Sequence, residues 1–221
     1  MPSENWTQVD RYINDLFIPP DPVLESALRS SGEAGLPSIQ VTPNQGKLLA
    51  ILARSIRART ILEIGALGGY STIWLARALA PGGKLITLEV EPRHAAVARA
   101  NLKRAGLDGV ADLRLAPALE SLPRLLAESH EPFDLVFIDA DKPTTAEYFA
   151  WALKLTHPGS LIITDNVVRD GKVVDPTSQD PNVQGVRRFN AALAAEPRVT
   201  ATVVQTVGSK GYDGFAIALV N

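Results

Sequence analysis

From residue 60 onward the chain alternates short apolar runs with stretches whose apolar residues recur at helical spacing, and this alternation limits the fold more than any other feature. Strands are expected at "TILEIG" (60–65), "KLITLEV" (84–90), "ADLRLA" (111–116), "FDLVFIDA" (133–140) and "SLIITDN" (160–166). Helices are expected between them, at 70–80, 92–106, 118–128 and 144–156. Apolar runs without polar alternation suit strands covered on both faces. Alternating with helices, they build right-handed βαβ units, hence an α/β fold with a parallel sheet and helices on both faces. A further helix is expected near 183–196. The tail then changes character. Segments 198–207 and 215–220 flank the glycine-bearing "GSKGYDG" (208–214) with no helix between them, so they should pair antiparallel.

The first forty residues read as an interrupted helical segment, 7–17 and 23–35, broken at "IPPDP". A helix over 42–58 opens with Thr42 as N-cap, Pro43 at the first helical position and Gln45 completing a capping box. No internal repeat, low-complexity tract or linker divides the 221 residues, and one domain is expected over 1–221.

A formal net charge of -2 gives no charge-based reason to bind nucleic acid or an anionic membrane. Apolar runs such as "LLAILA" are too short to span a bilayer. The start, "MPSENWTQVDR", lacks the basic and apolar segments of a secretory signal, so a cytoplasmic location is the expectation. The absence of cysteine excludes disulfides, thiolate nucleophiles and cysteine zinc sites. The three histidines, His94, His130 and His157, sit in unrelated contexts and read as surface or packing residues.

After the first strand comes "EIGALGGYS", carrying Glu63, Gly65, Ala66, Gly68, Gly69 and Ser71. Glycines between strand and helix let the backbone turn sharply and approach a ligand. The spacing is GxxGG, not the dinucleotide GxGxxG, and no Walker lysine follows. Glu89, ending the second strand, can accept hydrogen bonds from both ribose hydroxyls of an adenosine, while Glu91 is better placed to cap the next helix. Both NAD and S-adenosylmethionine present an adenosine.

Two further strand ends carry unusual charge. "DLVFIDADK" ends in Asp139, Asp141 and Lys142, and "LIITDN" in Asp165 and Asn166. If the strands are neighbours, about 4.8 Å apart, Asp139, Asp165 and Asn166 converge on one crevice. Two carboxylates and an amide carbonyl form a hard oxygen site for Mg²⁺, Mn²⁺ or Ca²⁺. The competing reading is turn chemistry, with Lys142 in a salt bridge to Asp139 or Asp141.

With "ILEIGALGGYS", "FDLVFIDADK", "LIITDNVVRDGKV" and "KGYDGFAIA" in this order, the sequence resembles the cation-dependent O-methyltransferases of the catechol and caffeoyl-CoA type. The resemblance runs from about "VTPNQG" at 41 to the C-terminus; residues 1–40 match weakly. It implies a Rossmann-like class I methyltransferase with a seven-stranded, mostly parallel sheet ending in an antiparallel hairpin. It also implies S-adenosyl-L-methionine and a divalent cation, Mg²⁺ foremost, as cofactors, a phenolic small-molecule acceptor, and a homodimer. Carried over by position, Asp139, Asp165 and Asn166 are the metal ligands. Val41, Glu63, Gly65, Ala66, Ser71, Glu89, Ala118 and Asp141 are cofactor contacts, with Asp141 near the methionine end. Lys142 is the general base, and Asp139 joins it in the catalytic group.

The chain departs from the family at three places. Arg169–Asp170 stands where the plant enzymes carry an aromatic residue facing the acceptor, which argues against a caffeoyl-CoA acceptor and leaves room for an acidic or more polar phenol; the competing reading of Arg169 is a plain surface arginine. Ala116–Pro117 replaces a Gly-Asp, and Glu89 replaces an aspartate. Trp74 and Trp151 lie in apolar helical stripes and read as core, whereas Trp6 belongs to the weakly matched N-terminus. Three rival readings exist. A nicotinamide-dependent oxidoreductase leaves the metal triad without purpose, a metal hydrolase leaves the adenosine features unexplained, and the third is a cofactor-binding module without catalysis.

Overall fold

In the computed structural model of the protein, residues 3–128 and 131–221 are described; His130 lies outside them. The sequence-predicted alternation is present. In chain order the elements are α1 (Glu4–Phe17), α2 (Pro22–Glu33), α3 (Pro43–Ser55), β1 (Thr60–Ile64), α4 (Tyr70–Ala76), β2 (Lys84–Glu89), α5 (Pro92–Arg104) and β3 (Ala111–Leu115). They continue with α6 (Ala118–Ala127), β4 (Phe133–Ile138), α7 (Thr145–Leu155), β5 (Thr156–Asp165), α8 (Pro181–Ala195), β6 (Val199–Gly208) and β7 (Gly211–Val220). Helix starts follow local chemistry. Asp21 caps α2 and Thr42 caps α3, each followed by a proline whose missing N–H costs nothing at that position.

The strands form one sheet in the order β3-β2-β1-β4-β5-β7-β6. β3 through β5 are parallel, and β7 runs antiparallel to both β5 and β6. Because side chains alternate across a strand, Ile61, Leu135 and Phe137 face one layer of helices, α2 to α5. Leu62, Ile64, Val136 and Ile138 face the other, α6 to α8. Both layers are closed apolar cores, which explains the unbroken apolar runs.

Two strands are longer than their sequence patterns suggest. β5 begins at Thr156, directly after α7, where Phe133 pairs with Thr156 before a register shift. The hairpin turn is confined to Ser209–Lys210, since Gly208 pairs with Gly211 and pairing continues through Asp213 and Gly214. The glycines of "GSKGYDG" therefore serve two purposes. Gly214 is a strand residue without room for a side chain, because a Cβ there would lie 2.6 Å from both the Val204 carbonyl and Val168.

Helix α1 packs against α3 and β6 but has no buried residue. Its Tyr12, Leu16 and Phe17 are exposed, as are Val203, Val204 and Val207 on the edge strand β6. Among the described residues, no helix is long and apolar enough to cross a membrane.

At the opposite end of the sheet from the motif-bearing loops, Asp134 ties three strands together. Its Oδ2 accepts hydrogen bonds from the Arg59 and Thr60 amides and the Thr60 hydroxyl, and its Oδ1 lies 2.9 Å from His157 Nε2. The Asp134 partner raises the His157 pKa, and the Asp134 pKa falls because its hydrogen bonds outweigh the cost of burial. The histidine's contribution is thus full below its ordinary value near 6.5 and fades as pH rises through the raised one. The aspartate's contribution is full above its own ordinary value and fades only in acid. His157→Gln should lower Tm by about 1–3 °C at pH 5.5 and by less at pH 8.5, measured by thermal denaturation. An equal drop at both pH values would show that charge is not what the pair contributes.

Candidate active site

The strand order reverses at β1, which has β2 on one side and β4 on the other. Loops from the carboxyl ends of these strands diverge there and leave a crevice. The chain leaves β1 through Gly65, whose φ is +100°, and a Cβ at that position would lie 2.1 Å from the Asp139 carbonyl oxygen. Only glycine lets the β1 and β4 ends approach this closely.

A cavity of about 480 Å³ opens in the crevice. Val41, Gly65, Ala66, Ser71, Glu89, Ala118 and Asp141 line it, together with Asp139, Lys142 and Asn166. Glu63 does not. It shares a strand face with Ile61, points under α4, and is fully buried. Its carboxylate accepts hydrogen bonds from Ser71 Oγ (2.6 Å), Thr72 Oγ1 (2.5 Å) and Thr87 Oγ1 (2.7 Å). Burial pushes its pKa up to about 7, against the pull of the three hydroxyls. In this arrangement Glu63 supports the cavity wall by holding Ser71.

Glu89 is positioned by backbone. Its Oε1 accepts from the Val90 and Glu91 amides and its Oε2 from the Leu67 amide. The helix-capping task falls to Glu91, whose side chain accepts from the Arg93 amide. His94, read from sequence as a surface or packing residue, instead lines the cavity 3.6 Å from Glu89. Its place in the first turn of α5 carries it back over the β2 end. Tyr148 also escaped sequence reading, since it looks like one more apolar residue of α7. It lines the cavity and donates its hydroxyl to Asp141 Oδ1 at 2.5 Å. Burial, then Asp141, raises the Tyr148 pKa.

Strands β4 and β5 are parallel neighbours with Ile138 opposite Thr164, so Asp139 and Asp165 leave the sheet at adjoining positions. Lys142, 8% exposed, stands between them. Its Nζ donates to Asp139 Oδ1 at 3.0 Å and to the Asp165 carbonyl at 3.1 Å. The Lys142–Asp139 salt bridge considered from sequence is therefore formed. Burial and the neighbouring Asp139 raise the Asp165 pKa, while Lys142, Gln45 and the Asn166 amide oppose the rise. Asn166 has φ +59°, in the left-handed region that asparagine tolerates better than most residues.

Among the described residues, no three His, Cys, Asp or Glu side chains come together as a metal cluster. The set at the β4 and β5 ends is two carboxylates and an amide. It suits a hard divalent ion, because a buried carboxyl raised partly by a like-charged neighbour is what a shared cation relieves.

A second cavity, of about 740 Å³, continues outward and shares Gln40, Val41, Asn166 and Arg169 with the first. Asp165, Gln45, Lys210 and Tyr212 line it, and Asp10 is the contribution of α1. Trp6 does not line either cavity. Trp74 packs against Gly46, and Trp151 packs on the α6–α8 core with Lys154 over its ring.

Residues 20–218 match the O-methyltransferase family. A catechol O-methyltransferase of Niastella koreensis is 54% identical over 100% of both chains. The solved O-methyltransferase from Bacillus cereus in complex with SAH is 56% identical, with TM-score 0.97 over 99% of each chain. The O-methyltransferase TomG from Streptomyces achromogenes, involved in tomaymycin synthesis and solved with SAM, is 50% identical, with TM-score 0.96 over 100% of this chain and 99% of its own.

Because burial holds the Glu63 pKa above its ordinary value, the folded state keeps a proton there that the unfolded chain releases. The stabilisation is full below the ordinary value and disappears as pH rises through about 7. The unfolding free energy of the wild type relative to Glu63→Gln should therefore fall between pH 5 and pH 8, by up to about 2 kcal/mol, in denaturant titrations. A difference that stays flat with pH contradicts this picture.

Proposed function

The chain belongs to the O-methyltransferase family, and on that premise we propose that it methylates a hydroxyl of a catechol-like or hydroxycinnamoyl phenol with the help of a divalent cation. It is an S-adenosylmethionine-dependent O-methyltransferase on a Rossmann-like sheet. The observation that carries the cation and phenol reading is the grouping of Asp139, Asp165 and Asn166 with Lys142, at the wall between the cofactor cavity and its outer neighbour.

A phenol titrates near 10 and is mostly protonated at neutral pH, so it needs activation. A cation held by Asp139, Asp165 and Asn166 would favour the phenolate, and two vicinal oxygens suit its chelation. In this reading Glu89 and Asp141 bind the ribose hydroxyls and the amino group of the methyl donor. With its own proton passed to solvent, the neutral Lys142 Nζ would accept the phenolic proton. The oxygen lone pair then forms the new O–CH₃ bond while the C–S bond breaks, leaving S-adenosylhomocysteine. Positive sulfonium and negative oxygen neutralise each other, so a partly dry crevice favours the step. A nicotinamide enzyme would make no use of the oxygen triad, and a metal hydrolase none of the adenosine-sized cavity.

A homodimer is part of the same proposal. The exposed apolar side chains of α1 and the exposed, valine-rich edge strand β6 form the kind of surface that another chain covers.

Lys142→Ala should lower kcat by about 10²–10⁴-fold while leaving S-adenosylmethionine affinity nearly intact, and unchanged turnover would sink the base assignment. EDTA should abolish activity and added Mg²⁺ restore it; activity that survives thorough chelation removes the cation from the account. The double substitution Leu16→Glu, Phe17→Glu should shift the protein from dimer to monomer in light scattering. A wild type that is already monomeric contradicts the dimer.

A further inference from the structure

We propose that Arg169 and Lys210 select an acceptor that carries its own negative charge, a phenol bearing a carboxylate, in the outer cavity beside the candidate cation site. This rests on the phenol O-methylation reading and makes its substrate class narrower.

Arg169 lines both cavities, so it stands where the cofactor space meets the acceptor space. Backbone contacts hold it there. Asp213 Oδ1 accepts from the Val168 and Arg169 amides, and Arg169 sits at φ +55° with Asp170 in the same region beside it. Two consecutive non-glycine residues in the left-handed region are strained, and such strain collects at ligand-binding segments. The guanidinium itself is little used. Its nearest acid, Asp213 Oδ2, is 3.7 Å away, and among the described residues it makes no hydrogen bond.

Lys210 approaches the same cavity from the β6–β7 turn. Among the described residues its ammonium has one hydrogen-bond acceptor, the Gln40 carbonyl. That leaves donors able to reach a ligand.

Asp213 Oδ2 forms a loose ion pair with Arg169, and the other acids around the cavity are engaged elsewhere or face solvent. Asp10 accepts from the Ser209 amide, Asp213 from three amides, and Asp165 belongs to the candidate cation site. Asp170 is exposed to solvent. A neutral ring has no use for a guanidinium fork and an ammonium in one cavity, whereas a carboxylate can take a bidentate bond from the first or a charge-assisted bond from the second. The competing role for Lys210 is to offset the charge of Asp139 and Asp165 without touching the acceptor. That role would affect charged and neutral acceptors alike.

The test uses 3,4-dihydroxybenzoate and its methyl ester, which share the diol and differ by one charge. Both are offered to the full-length enzyme with S-adenosylmethionine and Mg²⁺. The wild type should show a KM for the acid about tenfold or more below that for the ester. Arg169→Gln and Lys210→Gln should each lower the acid-to-ester ratio of kcat/KM about tenfold, mainly through the KM of the acid. Lys210→Arg should largely restore it. Because the ratio is read within one sample, loss of folded enzyme cancels. A wild type with no KM preference for the acid overturns the proposal, as does a ratio that neither glutamine substitution changes. If neither compound nor catechol itself is methylated, the phenol reading fails first and this inference falls with it.

Discussion

Two like charges sit side by side because β4 pairs with β5 in parallel and in one register, and most of the site's architecture answers that placement. With Ile138 opposite Thr164, the next residues are Asp139 and Asp165. Burial and Asp139 together disfavour a charge on Asp165. A proton or a nearby cation relieves the repulsion, which is why the Asp165 pKa is raised and why Lys142 opposes the rise. Lys142 supplies one positive charge, joined to the Asp139 side chain and the Asp165 carbonyl, and Lys210 adds a weaker, more distant influence. A divalent ion would satisfy the same pair more completely and free Lys142 for proton transfer.

The cofactor side of the crevice is built on a different principle, with backbone positioning the charged groups. Gly65 brings the β1 and β4 ends within contact, three amides hold Glu89, and the buried Glu63 fixes Ser71 through its hydroxyl. Such a wall changes little when a ligand arrives, because its polar atoms are already committed. The outer cavity is less constrained. Its walls come from the 38–42 segment, the strained 166–170 loop and the hairpin tip.

The sheet and the crevice were legible because parallel strands announce themselves as apolar runs and place their functional residues at the carboxyl ends. Asp139 and Asp165 leave the sheet at adjoining positions for that reason, with Asn166 next in the chain. Glu63 shows what such a reading overlooks. Its place near the strand end suggests the crevice, but its parity with Ile61 turns it toward α4. His94, Tyr148, Gln45 and Lys210 come from elements whose local patterns say nothing about the crevice; only the packing of helices and the hairpin brings them there. The hairpin turn is shorter than its glycines suggest because glycine marks both tight turns and strands pressed close to other backbone, and "GSKGYDG" contains both.

The central claim, that the β4 and β5 ends jointly hold a hard cation beside the methyl donor, is tested most directly by anomalous diffraction from crystals grown with Mn²⁺ and S-adenosylhomocysteine. One anomalous peak within about 2–2.4 Å of oxygens from Asp139, Asp165 and Asn166 is the expected result. Full cofactor density with no metal peak there, and Lys142 still bridging the two aspartates, would contradict it.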